Sequence, residues 1–388
     1  MIRRIPQTLV SLGLATLAVA ACPSPAVAGP PTTDRAGSAV GGDQLAGVGP
    51  VVHYLPGAAP LPTLKATAWV LADLTTGQVL AAQNAHARLR PASTLKTLTS
   101  LTVLQNLPLD TRYRATATDA RAEGSRVGVL ANATYTVKDL LHGLLLPSGN
   151  DAASSLAHAN GGFRKTVSAM NAEAAHLQAF DTHAVNPSGL DADGQVSSAY
   201  DLALIARAAM RVPDFRAITG ARSYAFPGKS FPGTGKRTTY RIYSQNRLLL
   251  HGFRGAMAGK TGFTTKAGRT YWGAATRRGH TLVVTLMQIA EPTETAAKAL
   301  LAWGFRNQAR LAPVGNLVDP AVPGTDDPSA RRDGTSGAGA GPATPLDHVI
   351  GASGTPIALY LLAASAVGLG ALYRRRRRQA VAVTTTEE

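Results

Sequence analysis

The sequence predicts an α/β fold, a split α/β domain with a mostly helical insertion. Three observations support this prediction. Strand-like runs lie at both ends of a body of about 250 residues, helical periodicity fills the part between them from about residue 110 to 235, and an amphipathic helix ends the body. A cleft is expected where the sheet meets the insertion, because ligands commonly bind at such junctions.

The individual elements follow from local patterns. The stretch ATAWVLADLTTGQVLAA predicts two strands joined by a turn at Thr75-Thr76-Gly77, and apolar residues from Ser93 to about Leu107 follow helical spacing. The last strands are predicted in RTYWGAAT and TLVVTLMQI, and the final helix in EPTETAAKALLAWGFRN. The helices of the insertion are predicted in VKDLLHGLL, NDAASSLAHAN, KTVSAMNAEAAHL and SAYDLALIARAAM.

The N-terminus has the layout of a secretory signal peptide. Two arginines precede an apolar run, and Ala26-Val27-Ala28 predicts cleavage after Ala28. The single cysteine, Cys22, lies within this segment, so the mature protein is predicted to have no disulfide and no cysteine metal site. One alternative stays open, since Val19-Ala20-Ala21-Cys22 resembles a bacterial lipobox, which would make Cys22 a lipidated N-terminus.

The C-terminal end predicts a membrane anchor. Residues 349–373 carry no charge and are long enough to cross a bilayer, and five arginines follow them directly. The positive-inside rule places these arginines in the cytoplasm and the upstream chain outside the cell. The predicted organisation is a signal peptide 1–28, a flexible leader 29–64, a folded domain 65–312, a Pro/Gly-rich tether 313–348, a transmembrane helix 349–373 and a basic cytoplasmic tail 374–388.

The charge and the histidines exclude some functions. The formal net charge of +16 favours anionic surroundings such as nucleic acid, acidic lipid or a cell-wall polymer. Because both ends of the chain direct the domain outside the cell, nucleic acid is not expected as a partner. None of the nine histidines belongs to an H-E-x-x-H or similar ligand pair, so no metal site is predicted.

The stretch GAMAGKTGF, residues 255–263, allows two interpretations. Gly-Lys-Thr ends a phosphate-binding loop, but such a loop needs four residues between its glycines and a helix after it. Gly255 and Gly259 are separated by three residues, and a strand-like sequence follows Lys260. The nucleotide interpretation therefore fails, and Lys260-Thr261-Gly262 is left as a strand motif.

A second motif, PASTLK, predicts a serine nucleophile. Ser93 and Lys96 are separated by three positions, which places them on one face of a helix. A neutral lysine can remove the proton of a serine hydroxyl, and burial beside another cation such as Lys260 lowers the pKa of a lysine. Ser93 at a helix start also offers its backbone amide to an oxyanion. On its own, Ser93 could equally be a helix cap.

A third motif, LLPSGNDAASSL, contains Ser148 and Asn150 in a break between two helical runs. A competing Ser-x-Asn occurs at Ser244-Gln245-Asn246, but it lies shortly before Lys260 on the approach to the same strand. Ser148 is therefore the favoured residue for the opposing wall of a cleft. Ser-x-x-Lys, a Ser-x-Asn element and Lys-Thr-Gly together form the signature of penicillin-binding proteins and class A β-lactamases.

With these motifs, the chain resembles the D-alanyl-D-alanine carboxypeptidases, which are low-molecular-mass penicillin-binding proteins of serine peptidase family S11. The similarity extends to DLTTGQVLAAQNAHARLRPASTLK, HAVNPSGLDADGQVSSAYDLALIAR and NRLLLHGFRGAMAGKTGFTTKAG, and covers about residues 65–310. The resemblance implies a penicillin-binding protein/β-lactamase-like fold, in which an antiparallel sheet is flanked by helices and carries a mostly helical insertion subdomain. It also implies no cofactor, peptidoglycan stem peptides ending in D-Ala-D-Ala as substrates, and β-lactams as covalent inhibitors.

The resemblance also implies roles for individual residues. Ser93 is the expected nucleophile, Lys96 its base, and Ser148 a relay that carries a proton toward the leaving group. Substrate-binding roles are expected for Asn150, Lys260, Thr261, Gly262 and Phe263, with Lys260 and Thr261 on the terminal carboxylate and the amides of Ser93 and Phe263 in the oxyanion hole.

Three alternatives remain at the sequence level. A class A β-lactamase would need a water-activating glutamate after the second motif, and only Glu173 is found there, outside the expected Glu-x-x-Leu-Asn setting. Slow β-lactam turnover is therefore expected. Endopeptidase or transpeptidase action on peptidoglycan cross-links is not excluded by the motifs. A wall-binding scaffold with an inactive site is disfavoured because the nucleophile and its partners are all present.

Overall fold

The structure is a computed structural model, which describes residues 39–231, 234 and 236–322. Its strands are β1 (Pro50–Tyr54), β2 (Ala66–Asp73), β3 (Gln78–Gln83), β4 (Arg112–Arg114), β5 (Thr134–Thr136), β6 (Ser223–Ser230), β7 (Arg237–Tyr243), β8 (Ala256–Thr264), β9 (Gly268–Arg277), β10 (His280–Ile289), β11 (Leu311–Ala312) and β12 (Gly315–Asn316). The α-helices are α1 (Lys96–Asn106), α2 (Ala117–Ala120), α3 (Val137–Leu145), α4 (Asn150–Ala159), α5 (Phe163–His176), α6 (Ala199–Arg211), α7 (Pro213–Thr219), α8 (Arg247–Leu250) and α9 (Thr293–Asn307).

An eight-stranded antiparallel sheet forms the centre of the fold. Its strand order is β11-β1-β3-β2-β10-β9-β8, and β12 pairs separately with β3. The strand β8, which carries the Lys-Thr-Gly motif, is therefore an edge strand of this sheet. Its outer edge is free to face the helical part of the chain, which the sequence inserts between β3 and β8.

Alternating side chains of the sheet pack on two different layers. Trp69 of β2 lies in a cluster with Leu300 and Trp303 of α9, whereas its neighbour Val70 lies in the cluster formed with the remaining helices. This two-residue period is the normal consequence of the pleated strand. The α/β fold predicted from the sequence is thereby confirmed, as is the antiparallel sheet between helices that the family resemblance implied.

Two segments, one at each end of the folded domain, differ from the sequence prediction. The flexible leader was expected to continue to residue 64, but Pro50–Tyr54 pairs with β3 and β11. The tether was expected from residue 313, but Gly315–Asn316 pairs with β3 and Leu317 is buried. Both segments are short and lack sustained alternation, and they are ordered by long-range pairing that local patterns do not encode.

The insertion also ends earlier than expected. Its last helix ends at Thr219, and Ser223–Ser230 forms the strand β6, which pairs with β7. Within the described ranges, no helix is long and apolar enough to cross a membrane. The predicted signal peptide and the predicted transmembrane helix 349–373 lie outside the described residues.

Candidate active site

Ser93 lies in a single turn of 3₁₀ helix, Ala92–Leu95, that leads directly into α1. The preceding residue, Ala92, has a φ of 47°, a left-handed conformation that is strained for a residue other than glycine. Such strain is common where a side chain must be presented to a ligand. The turn presents the Ser93 hydroxyl to a cleft between β8 and the helical insertion.

Lys96, one helical turn after Ser93, is completely buried and makes three contacts through its Nζ. The nitrogen lies 2.9 Å from Ser93 Oγ, 2.7 Å from Asn150 Oδ1 and 2.5 Å from the carbonyl oxygen of Ser188. The amide and carbonyl oxygens can only accept hydrogen bonds. A neutral amine with two protons can donate to both of them, and its lone pair then faces the Ser93 hydroxyl. This is the arrangement that a general base for Ser93 requires.

The electrostatic surroundings of Lys96 favour this neutral form. Burial, together with the positive charge of Lys260, holds the pKa of Lys96 well below its usual 10.5. The carboxylate of Asp151 acts in the opposite direction. Burial also lowers the pKa of Lys260, to about 7. Because two cations are unfavourable in one buried site, we expect Lys96 to lose its proton before Lys260 does.

Ser148 and Lys260 form the second polar pair of the cleft. Lys260 Nζ donates to Ser148 Oγ at 2.9 Å and to the carbonyl oxygen of Thr261 at 2.7 Å. A protonated Lys260 has a third proton available for a bound anion. Ser148 has a φ of 68°, so its position is another strained point of the cleft wall.

Asn150 begins α4 and is held from two sides. Its Oδ1 accepts from Lys96, and its Nδ2 donates to the carbonyl oxygen of Glu123 at 2.7 Å. The next residue, Asp151, is fully buried and accepts backbone hydrogen bonds from Val127, Gly128 and Val129 at 2.7–2.9 Å. The start of α4 is therefore locked to the loop that carries the cleft residue Ser125.

The strand β8 lies directly against the nucleophile. At Gly262 there is no room for a side chain, since a Cβ there would lie 2.8 Å from the backbone nitrogen of Ser93. Thr261 and Phe263, on either side of Gly262, line the cleft together with Arg269 of the neighbouring strand. The structure thus brings all eight residues predicted from the sequence to one cleft or its immediate wall.

The cleft has a volume of about 850 Å³ and continues beyond these residues. Ser244 and Gln245 of the second Ser-x-Asn element also line it. Gln245 joins its two walls, because its Oε1 accepts from Thr261 Oγ1 and its Nε2 donates to the carbonyl oxygen of Pro147, both at 3.1 Å. The sequence analysis assigned no role to this element.

The sequence analysis missed the roles of Asn186 and Ser188, although both belong to the Asn-Pro-x-Gly-Leu segment that carried the family resemblance. Asn186 Oδ1 accepts from the backbone amides of Ser188 and Gly189 at 3.1 and 2.9 Å, which is an Asx-type turn. This turn places the carbonyl oxygen of Ser188 on Lys96. The only available signal was Asn-Pro followed by Gly, which predicts a turn but does not indicate that the turn contacts Lys96.

Glu173 and a cluster around His86 lie away from the cleft. Glu173 is buried in α5 and is not among the residues that line it. Among the described residues, the ligand atoms of His86, Asp181 and Asp201 lie within 4.8 Å of one another. Both ring nitrogens of His86 are already hydrogen-bonded, to Asp181 at 2.7 Å and to the carbonyl oxygen of Val40 at 3.0 Å. We therefore treat this group as a hydrogen-bonded polar cluster.

Comparison with known proteins identifies relatives of similar sequence. Residues 56–290 match the family model of the D-alanyl-D-alanine carboxypeptidases, Peptidase_S11. The carboxypeptidase DacB2 of Mycobacterium tuberculosis is 43% identical over 268 residues, which cover 67% of this chain and 89% of that protein. The carboxypeptidase DacA of Escherichia coli K12 is 33% identical, and the match covers 63% of this chain and 62% of DacA.

Solved structures show the same similarity. A D-alanyl-D-alanine carboxypeptidase from Mycobacterium tuberculosis superimposes with a TM-score of 0.63 at 41% identity, over 68% of this chain and 99% of that one. The Streptomyces K15 DD-transpeptidase superimposes with a TM-score of 0.59 at 29% identity, over 64% of this chain and all of that one. The penicillin-binding-protein-like fold that the resemblance implied is thereby confirmed.

Proposed function

The chain belongs to the D-alanyl-D-alanine carboxypeptidase family of serine peptidases and acts as a D-Ala-D-Ala carboxypeptidase on peptidoglycan stem peptides; we propose that it does so through an ester on Ser93. The observation that carries this assignment is the set of three contacts made by Lys96 Nζ. A neutral amine donates its two protons to the oxygens of Asn150 and Ser188, and its lone pair is then available to accept the proton of Ser93.

In the proposed acylation step, Lys96 accepts the proton of Ser93 while Ser93 Oγ bonds to the carbonyl carbon of the penultimate D-alanine. Negative charge develops on the carbonyl oxygen, near the backbone amides of Ser93 and Phe263. The C–N bond then breaks, and the leaving amine takes a proton through Ser148, which hydrogen-bonds to Lys260. Water afterwards hydrolyses the ester and restores Ser93.

Lys260 and Thr261 are the proposed partners of the substrate's terminal carboxylate. The third proton of a charged Lys260 and the hydroxyl of Thr261 can both donate to an anion. Asn150, already bonded to Lys96, is proposed to contact the peptide backbone of the substrate. β-Lactams, which bear a carboxylate and an acylating carbonyl, would use the same contacts and acylate Ser93.

The proposed activity is tested by D-alanine release. The full-length protein is incubated with a peptide ending in D-Ala-D-Ala, and free D-alanine is quantified. We expect release by the wild type and by Ser125→Ala, which removes another serine of the cleft, and none by Ser93→Ala. Release by Ser93→Ala at the wild-type rate would overturn the assignment of the nucleophile.

Export and anchoring are also proposed, on the basis of the sequence pattern. The signal peptide would be removed after Ala28, and residues 349–373 would hold the catalytic domain on the outer side of the cell membrane. Deletion of residues 349–388 should release the protein from membranes on fractionation. Retention of the truncated protein would favour a lipidated Cys22 instead.

A further inference from the structure

The central sheet has an end that the proposed reaction does not use. The turn between β2 and β3 and the turn between β9 and β10 lie side by side there, because Leu74 N donates to the carbonyl oxygen of Thr281 at 2.7 Å. The strand β8 begins at the same end, with Ala256 paired to the last part of β9. Phe263, in the catalytic part of β8, is about 23 Å from Ala256 by strand rise. Groups at this end are therefore too far from Ser93 to take part in the reaction.

Arginine side chains from several elements gather at this end of the sheet. We call them the arginine end, and they are Arg207 and Arg211 of α6, Arg216 of α7, Arg254 before β8, Arg277 at the end of β9 and Arg278 in the turn that follows. Arg277 Nε, for example, donates to the carbonyl oxygen of Arg254 at 3.0 Å. The sequence explains why few acids oppose them, since residues 215–290 contain thirteen Lys and Arg and no Asp or Glu.

The charge of the arginine end is largely uncompensated. Within the described ranges, only Arg207 and Arg211 of the six form an ion pair, and both share the carboxylate of Asp319, at 3.1 and 3.4 Å. The side chain of Asp319 is 75% exposed, so this pair is weak and open to exchange with another anion. One carboxylate against six guanidinium groups leaves a strong preference for anionic surroundings.

Three of the arginines also line a cavity of about 270 Å³ between α6, α7 and the two turns. Arg207, Arg211 and Arg216 form its cationic wall, and Leu74, Met210 and Met257 form an apolar one. Arg207 is mostly buried, and its Nε has no hydrogen-bond partner among the described residues. Guanidinium groups bind phosphate oxygens through parallel N–H donors. A cavity with cationic and apolar walls therefore suits a phosphate that is joined to an apolar group, as in a phospholipid.

The described chain ends beside the arginine end. Arg207 Nη1 donates to the carbonyl oxygen of Leu317 at 2.7 Å, and Leu317 N donates to the carbonyl oxygen of Gly77 in the turn after β2 at 2.7 Å. The described residues end at Val322, and 26 residues separate Val322 from the predicted membrane span 349–373. The chain thus leads from the arginine end to the proposed anchor.

We propose that the arginine end docks on a membrane surface of anionic phospholipids and that the cavity of Arg207, Arg211 and Arg216 binds the phosphate of one headgroup. This inference goes beyond the catalytic function and rests on the proposed export and anchoring. Docking in this orientation places the catalytic part of β8 on the side away from the lipid, about 23 Å further along the strand. The cleft would then open toward the peptidoglycan rather than toward the membrane.

The proposal is tested by energy transfer between the full-length protein and labelled lipid. In a Cys22→Ala background, which removes the single native thiol, a fluorescent donor is attached to Thr76→Cys or to Thr265→Cys. Both positions are exposed, Thr76 in the turn after β2 and Thr265 in the turn between β8 and β9 at the opposite end of the sheet. Each protein is reconstituted into vesicles of phosphatidylcholine, with or without phosphatidylglycerol, that carry an acceptor-labelled lipid.

We expect phosphatidylglycerol to raise the energy transfer from position 76 and not from position 265. The double variant Arg211→Gln/Arg216→Gln should remove this increase. Each arginine close to an anionic lipid surface strengthens docking about fivefold, so the loss of two should weaken it about 25-fold. Arg112→Gln/Arg164→Gln, which removes two exposed arginines of the helical insertion, is the control and should keep the increase.

A further arm separates the lipid from its phosphate. Inorganic phosphate in excess should lower the transfer from position 76 in the anionic vesicles, because it competes for the cavity, and should not change it in phosphatidylcholine vesicles. If phosphate protects the cavity arginines but phosphatidylglycerol changes no transfer, the site binds free phosphate and the membrane proposal is overturned. Protection is measured as reduced modification of Arg211 and Arg216 by phenylglyoxal.

The remaining failures are distinguishable. Equal transfer from position 76 in both kinds of vesicle, or an increase that persists in Arg211→Gln/Arg216→Gln, would overturn the proposal. Sedimentation of the protein with anionic vesicles alone would support docking and overturn the proposed transmembrane anchor, whereas sedimentation with neither kind would overturn both. D-Alanine release in the same samples shows that each variant is folded, and its absence from the wild type would overturn the carboxypeptidase function separately.

Discussion

Gly189 lies so close to the residue before the nucleophile that a Cβ on it would be 2.0 Å from the carbonyl oxygen of Ala92. The turn that places the Ser188 carbonyl oxygen on Lys96 therefore also packs against the strained backbone of Ala92, the residue before Ser93. One short turn thus positions both the nucleophile and its base.

This contact predicts that Gly189→Ala displaces the nucleophile. A displacement of about 1 Å can reduce a catalytic rate by about 100-fold, and we expect a loss of that order in D-alanine release and in acylation by penicillin. Gly194→Ala is the matched control, because Gly194 has nearly the same φ, 80° against 82°, but its nearest non-neighbouring atom is 3.8 Å away. Equal rates in the two variants would show that only backbone strain matters.

The two lysines predict a bell-shaped pH profile for kcat/KM. The rate should rise with pH as Lys96 becomes neutral, at a pH well below its usual pKa of 10.5. It should fall above about pH 7 as Lys260 loses the charge that binds the carboxylate. Lys260→Arg keeps that charge at all these pH values, so the alkaline fall should disappear in this variant even if its rate is lower. A fall that remains in Lys260→Arg would assign the alkaline limb to another group.

Substitution of Asp151 is predicted to change both the stability of the fold and the pKa of Lys96. Asp151→Asn replaces one carboxylate oxygen, which accepts hydrogen bonds from the backbone amides of Gly128 and Val129, by an NH₂ group that can only donate. We expect this change to lower the free energy of unfolding by about 3 kcal/mol. It also removes the carboxylate that raises the pKa of Lys96, so the acidic limb of the pH profile should move to lower pH. Asp139→Asn removes a capping carboxylate of α3 and should lower stability without moving that limb.

The cluster of His86, Asp181 and Asp201 predicts a pH-dependent stability. Burial and the charge of Asp181 raise the pKa of Asp201 to about 7. Burial alone would lower the pKa of His86, but the hydrogen bond and charge of Asp181 outweigh it and raise this pKa above 6.5. Both groups hold protons more tightly in the folded state, so their contribution is present at low pH and is lost as the pH rises through these values.

Asp201→Asn removes one of these titrations. The difference in the free energy of unfolding between pH 5.5 and pH 8, measured with urea, should be smaller in this variant than in the wild type. Asp110→Asn, a change of an exposed aspartate, is the control and should leave the difference unchanged. Parallel pH dependences for Asp201→Asn and the wild type would contradict the prediction.

The elements of the fold that the sequence predicted are those with strong local periodicity. VKDLLHGLL coincides with α3, and NDAASSLAHAN extends one residue beyond the end of α4 at Ala159. Both helices were predicted because each contains a buried apolar face within a few turns. The strand Pro50–Tyr54 and the hairpin of β6 and β7 were missed. Their side chains are mostly exposed or half-buried, so the hydrophobic pattern that identifies a strand is absent.

The contacts of the candidate site also fall into those that local sequence spacing predicts and those that it does not. Ser93 and Lys96 are separated by one helical turn, so their proximity follows from the sequence. The contact of Lys96 with Ser188 joins residues 92 positions apart and uses a backbone oxygen, which any residue type provides. Gln245 was set aside because it precedes the strand of Lys260, whereas its side chain reaches across the cleft to Pro147. Such contacts depend on the three-dimensional path of the chain.

The most direct test of the account is the site of the covalent penicillin adduct. The full-length wild type, Ser93→Ala and Ser125→Ala are treated with penicillin, and the adduct is measured by intact mass and located by peptide mapping. The account predicts one adduct, on Ser93, in the wild type and in Ser125→Ala, and none in Ser93→Ala. An adduct that persists in Ser93→Ala, or that maps to Ser148 or Ser125, would contradict the assignment of Ser93 as the nucleophile activated by Lys96.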